Sequence, residues 1–264
     1  MSDSPETNDK EMSFLDHLEE LRWRLVRSII AVMLGGVLAF FFSDYVLDFL
    51  LKPFRTAVHM HAEAAGNSGA EATAQLIFLA PTEGFMVRIK LALFAGIFIS
   101  LPYVLWQMWQ FVAPGLLEHE KKYIPRIVAF STFFFFLGAY FCYEVVLRYG
   151  LNFLLGYQSA DLVAQISIRE YLKFVTLLIL TFGIVFEMPV LTYFLTRMGL
   201  VTPEFMRQKR RYSIVMIFAL AAIITPPDVF TQLMLAMPLI VLYEVSIWVS
   251  QFSLPKSYRE HEPK

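Results

Sequence analysis

Cysteine is almost missing: Cys142 stands alone among 264 residues, which excludes an internal disulfide and a cysteine-built metal cluster. An excess of one charge sign is missing too. The chain has 22 Lys and Arg against 23 Asp and Glu, a formal net charge of −1, and so gives no sign of a nucleic-acid surface. No G-x-x-x-x-G-K-[ST] phosphate loop and no G-x-S-x-G nucleophile elbow occurs. His59 with His61, and His119 beside Glu120, fit no ligand spacing of identifiable geometry, so no metal or cofactor is expected. The opening stretch MSDSPETNDKEMSF lacks a basic n-region and a small-residue cleavage site, so the first helix is expected to remain in the mature protein.

Apolar residues are abundant instead. A hydrophobic content of 57%, with 16% aromatics, exceeds what a soluble domain carries and points to a membrane protein. A hydrocarbon core of about 30 Å takes roughly 20 apolar residues in a helix. Six segments qualify or come close: residues 25–46, 85–106, 124–147, 171–195, 212–225 and 232–252. The fifth is cut off by TPPD and reaches only about 21 Å at 1.5 Å per residue. The sixth contains Pro238 and Glu244, and a thinned bilayer is expected around this last hairpin.

Six crossings place both termini on one side. Fifteen of the 22 Lys and Arg flank that side, against seven on the other, so both termini are expected in the cytoplasm. The expected fold is all-α, a single membrane domain over 1–264, with prolines 102, 125, 189 and 238 kinking the helices into a concave arrangement. On the far side, residues 62–74 are Ala- and Gly-rich and read as a flexible excursion.

Polar residues within this setting carry the functional signal. Glu187 lies inside the fourth span, where a charged carboxylate costs a few kcal/mol and must meet a partner or water. Thr176, Gly183 and Glu187 share a helix face, either as a polar stripe lining a cavity or with Glu187 making a structural hydrogen bond to a neighbouring helix. Glu144 and Glu244, nearer their span ends, read as structural.

In HLEELRWRLV, His17, Glu20, Arg24 and Arg27 fall on one helix face, opposite Phe14, Leu15, Leu18, Leu21 and Leu25. Residues 13–24 therefore form an amphipathic element at the interface. Glu20 and Arg24 can pair at i, i+4, worth a few tenths of a kcal/mol. A second acidic cluster, Glu118 and Glu120, sits in QFVAPGLLEHEKKYIP between the second and third spans. Two carboxylate clusters on one membrane face suit a basic peptide, because a carboxylate accepts two parallel bonds from a guanidinium.

These residues resemble the TatC family, the multi-spanning receptor subunits of the twin-arginine protein translocase. The motifs are HLEELRWRL before the first span, PTEGF opening the second, QFVAPGLLEHEKK after it, FEMP in the fourth and ITPPDVFTQ between the last two. The resemblance implies a non-enzymatic receptor in the cell inner membrane that binds twin-arginine signal peptides of folded cargo. It also implies TatA-type and TatB-type single-span partners, self-association in a receptor complex, and export driven by the proton-motive force. Carried over by position, the signal-peptide site falls on Glu20 and Glu120, with Phe111 nearby and Arg22 supporting the N-terminal element. Thr225, Asp228 and Gln232 match the patch that receives partner helices, Glu187 the buried acid, and Pro53 a proline of the first far-side segment. Thr231 stands where the family pattern has serine, and residues 56–75 follow no family pattern. A secondary transporter for a small solute, suggested by Glu187 and the broken helices, is the competing function. It lacks an internal repeat. An intramembrane enzyme would need more than an isolated Glu187.

Overall fold

The computed structural model describes residues 14–64, 74–113, 122–156, 164–225 and 229–253. Among these, five helical stretches are long and apolar enough to cross a bilayer: Asp16–Phe40, Glu83–Val112, Ile124–Leu155, Ile168–Arg197 and Val229–Ser253. The chain is an all-helical membrane protein with one small addition, a two-stranded sheet.

Helix α1 (Phe14–Phe40) unites the N-terminal amphipathic element with the first span, since nothing between them breaks a helix. It ends at Phe40, and after a two-residue turn α2 (Ser43–Ala64) begins with Asp44 in its first turn. Sequence reading treated this stretch as the end of the first span followed by a connection. It is an amphipathic helix, burying Leu50, Phe54, Ala57 and Val58 while exposing Lys52, Arg55 and Thr56. Pro53 sits inside it and is buried. Having no N–H, a proline leaves the carbonyl four residues back without its helical donor. That carbonyl belongs to Phe49, and the Tyr143 hydroxyl donates to it at 2.8 Å. The Tyr171 hydroxyl donates to the neighbouring Leu50 carbonyl, also at 2.8 Å.

Strand β1 (Ala74–Ile77) pairs in parallel with β2 (Ala164–Ser167), with Ala74 opposite Ala164 and Ile77 opposite Ser167. Each strand runs directly toward a spanning helix, β1 into α3 (Glu83–Val112) and β2 into a later one. Parallel strands make both helices enter the membrane from the same face, so an even number of crossings separates them. Those crossings are α3 and the next span, α4 (Ile124–Phe141), which continues through a π-turn at Cys142–Leu147 into α5 (Arg148–Leu155).

The span that follows β2 is α6 (Ile168–Val185), a break at Phe186–Glu187, and α7 (Met188–Arg197). Pro189 accounts for the break, because it cannot donate to the Val185 carbonyl. Helix α7 closes on Gly199 at φ 72°, with Gly199 N–H bonded to Thr196 O and Leu200 N–H to Leu195 O. Helix α8 (Pro203–Ile224) starts with Pro203 in its first turn and the Thr202 hydroxyl accepting Phe205 N–H at 3.2 Å. Its first half carries Arg207, Lys209, Arg210 and Arg211, which leaves a short apolar second half before α9 (Val229–Ser253).

Two glycine contacts set the closest helix approaches. A Cβ at Gly96 on α3 would lie 2.5 Å from the Gly36 nitrogen on α1, so no other residue fits that crossing. A Cβ at Gly183 on α6 would lie 2.7 Å from the Phe135 ring on α4. One apolar core gathers around Leu50, Val175 and Phe182, and a second around Trp109, Ile127 and Phe135.

Candidate receptor site

Of the two carboxylates expected to bind a ligand, Glu20 is described, near the start of α1. Glu20 is held by its neighbours on the same helix: Oε1 accepts Arg24 Nε at 2.9 Å and also Nη2 of the same guanidinium. Its other oxygen, Oε2, is enclosed, has no hydrogen-bond partner among the described residues, and stands 3.8 Å from His17 Nδ1. The Glu20–Arg24 pair that the spacing suggested is therefore present, and it engages half of the carboxylate. His17 stacks on Phe111 of α3, with ring centroids 4.3 Å apart and planes 12° from parallel. This contact joins the N-terminal element to the end of α3, from which the chain goes on toward Glu120.

Glu120, with Glu118 and His119, lies outside the described residues, as does Asp228. Arg22 is exposed on α1, on a face away from the Glu20 cluster. Glu20 and Phe111 are thus brought together, with His17 between them. His17 had been placed on the polar face of the helix but not assigned to the site. Its signal was its place three residues before Glu20 on that face.

Residues assigned to the last hairpin are partly turned inward. The Thr225 hydroxyl caps α8 by donating to Ala221 O at 2.8 Å. Gln232 Nε2 donates to Phe218 O at 3.2 Å, tying α9 back to the α8 backbone. Thr231 is buried. Towards the start of α8, Arg210 pairs with Glu244 at 2.7 Å and the Tyr243 hydroxyl donates to Met206 O at 2.7 Å.

Glu187 is buried, 5% exposed, at the break between α6 and α7. Neither oxygen makes a hydrogen bond of standard geometry, though the Ser131 hydroxyl, which accepts Trp109 Nε1–H at 3.1 Å, lies within its electrostatic reach. The shared polar stripe does not form. Gly183 packs against the Phe135 ring, and the Thr176 hydroxyl donates to its own helix at Leu172 O, 2.6 Å away. The cause is steric: α4 approaches α6 along that face at Gly183.

Glu83, which sequence reading quoted only as part of PTEGF, is the most heavily used carboxylate among the described residues. Its Oε2 accepts Leu79 N–H at 2.5 Å and Ala80 N–H at 3.4 Å, and its Oε1 accepts the Ser167 hydroxyl at 3.1 Å. It binds the exit of β1 to the end of β2. Among the described residues no group of three or more His, Cys, Asp or Glu could hold a metal ion.

Comparison with known proteins bears on the family and the fold. Residues 16–238 match the family described as Sec-independent protein translocase protein (TatC). The TatC protein of Desulforapulum autotrophicum is 41% identical over 239 residues, covering 90% of this chain and 84% of that protein. The Carboxydothermus hydrogenoformans protein is 38% identical over 251 residues, covering 95% of this chain and 97% of its own length. A crystal structure of a twin-arginine translocase receptor, TatC, superposes with a TM-score of 0.79 at 39% identity, covering 90% of this chain and 99% of that one. A second, of the receptor in DDM, gives 0.77 at 40% identity, with coverage of 89% and 99%. With the fold, the motifs and the match over residues 16–238 in agreement, the chain belongs to the TatC family and is a multi-pass, non-enzymatic membrane component of the twin-arginine translocation system.

Proposed function

We propose that this chain is the receptor for twin-arginine signal peptides, which it grips at the cytoplasmic face through Glu20 and Glu120. The observation that carries the reading is the half-engaged Glu20 carboxylate, with Oε1 held by Arg24 and Oε2 enclosed and unbonded beside His17 and Phe111. An incoming guanidinium finds in Oε2 an acceptor that no described residue uses, once the side chains enclosing it turn aside. Full bidentate capture requires Arg24 to release Oε1, which costs only a few tenths of a kcal/mol for an i, i+4 pair. Phe111 and His17 offer flat surfaces over which a guanidinium stacks. Glu120 follows Phe111 by nine residues in the chain and supplies the acid for the second arginine. Arg22 supports the element from outside the contact.

In the same reading both termini are cytoplasmic, six helices cross the inner membrane in a concave, proline-kinked arrangement, and copies associate in a receptor complex. The hairpin at Thr225, Asp228 and Gln232 receives the helices of TatA-type and TatB-type subunits, and the proton-motive force drives export. Pro53 acts structurally, through the carbonyl it leaves for Tyr143.

The test is a fluorescence titration of the purified protein with a twin-arginine peptide. Charge-assisted contacts contribute about 1.5 to 3 kcal/mol each, so Glu20→Gln and Glu120→Gln each weaken binding by about tenfold or more. A twin-lysine peptide, lacking the fork, loses less. Parent-like affinity in both variants would place the receptor site elsewhere.

A further inference from the structure

The start of α4 and the end of α7 meet at one end of their spans, because residues of both line a single hollow of about 560 Å³. Two arginines stand among its lining residues, Arg126 from α4 and Arg197 from α7. Each lies over a tyrosine of its own segment: the Arg126 guanidinium is 5.5 Å from the Tyr123 ring centroid, and that of Arg197 is 5.7 Å from the Tyr193 centroid. Among the described residues neither arginine makes an ion pair, and no carboxylate lines the hollow. A turn or more further into the spans the lining is apolar, including Phe130 and Phe134 of α4 and Pro189 and Val190 of α7.

We propose that this hollow binds an anionic phospholipid of the surrounding bilayer, its phosphate held by Arg126 and Arg197 and its acyl chains laid against Phe130, Phe134 and Val190. The sequence of chemistries matches such a lipid from outside inward. A guanidinium gives a phosphate two parallel donors, and two guanidiniums that face no acid among the described residues leave a positive mouth there. Tyrosines at the headgroup level fit the interface, where one end of the ring is wet and the other apolar. A basic pocket between spanning helices with an apolar interior is a recurring form of headgroup recognition. A basic signal peptide fits this hollow poorly, since its arginines meet arginines, and an acidic peptide finds an apolar floor. The assignment does not depend on which face of the membrane the hollow occupies, nor on the peptide site at Glu20.

The test is native mass spectrometry of the full chain in detergent, titrated with phosphatidylglycerol and with phosphatidylcholine of identical acyl chains. Both lipids carry the phosphate, but the choline cation of phosphatidylcholine cancels its charge. Each protein cation near an anionic headgroup is worth about a fivefold gain, so two predict a preference for phosphatidylglycerol on the order of tenfold or more. Arg126→Gln with Arg197→Gln removes that preference, and Arg126→Lys with Arg197→Lys keeps most of it. Thermal unfolding of the same samples checks that the variants are folded, and if the double glutamine variant is not, Arg197→Gln alone is predicted to lower the preference. Inorganic phosphate and glycerophosphoglycerol are added as competitors and are expected to displace little lipid, because neither fills the apolar part. A photoreactive residue at Phe130 is expected to label lipid. The proposal is overturned by equal binding of the two lipids, by a preference that survives the glutamine variants, by displacement with free phosphate, or by labelling of a peptide or a second copy in place of lipid.

Discussion

The two ends of this molecule are held in different ways. Around β1 and β2, contacts join residues far apart in the chain: Tyr143 to Phe49, Tyr171 to Leu50 and Ser167 to Glu83, besides the strand pairing itself. At the start of α1, among the described residues, the polar contacts of Glu20 are local, to Arg24 and His17, and His17 stacks on Phe111 of α3. The first end is built to be rigid, since each of its bonds fixes one segment against another. The second holds its charged groups in pairs worth a few tenths of a kcal/mol, which a ligand can exchange. On the proposed function, this is a division between a part that keeps the fold and a part that meets other molecules.

The largest effect is expected where the two ends are mechanically connected. Gly96→Leu places side-chain atoms against the Gly36 backbone, where a Cβ alone would already lie 2.5 Å from a nitrogen that cannot move aside. Overpacking of this kind costs about 3 kcal/mol or more. It separates α1 from α3, lowers the unfolding midpoint in detergent, and also removes peptide binding, because His17 loses its seat on Phe111.

Next in size is Glu83→Ala, which leaves the Leu79 and Ala80 amides and the Ser167 hydroxyl without their acceptor. Hydrogen exchange should rise over 74–80 and 164–167, and the unfolding midpoint should fall by several degrees, with peptide affinity kept.

The two tyrosines refine the point. Tyr143→Phe is expected to cost about 2 kcal/mol, because Pro53 leaves the Phe49 carbonyl with no helical donor to fall back on. Tyr171→Phe is expected to cost about 1 kcal/mol, since the Leu50 carbonyl retains the Phe54 N–H of its own helix. Equal losses, measured by urea or thermal unfolding of the two variants, would show that Pro53 is not what makes the Tyr143 bond matter.

Gln232→Leu has a smaller effect, about 1 kcal/mol from the loss of its bond to Phe218 O. Reduced copurification of a TatB-type subunit with this variant therefore needs the unfolding curve beside it. Only a loss of partner at unchanged stability assigns Gln232 to docking.

Much of this division was legible in the sequence, but unevenly. Apolar runs of about 20 residues announce their helices directly, and the i, i+4 spacing of Glu20 and Arg24 announced their pair. The rigid end was harder to read. Helix α2 carries Pro53 and a mixed face, and sequence alone made it a connection. Strands of four residues whose partners lie 90 positions away leave no local signal, so Glu83 looked like one letter of a motif rather than a clamp. The stripe through Thr176, Gly183 and Glu187 was drawn from helix geometry alone, which does not reveal that α4 presses against Gly183. Glu120 and Asp228 lie outside the described residues, and their roles rest on the family pattern.

The division is tested most directly by measuring unfolding and twin-arginine peptide affinity on the same preparations of Glu20→Gln and Glu83→Gln. The account predicts opposite outcomes: Glu20→Gln loses about tenfold or more in affinity with its unfolding midpoint nearly unchanged, and Glu83→Gln loses stability while the folded fraction binds the peptide as the parent does. If Glu20→Gln binds normally, or if its loss of binding follows a loss of stability of the same size as in Glu83→Gln, the N-terminal element is a structural part of the fold and not the receptor's grip.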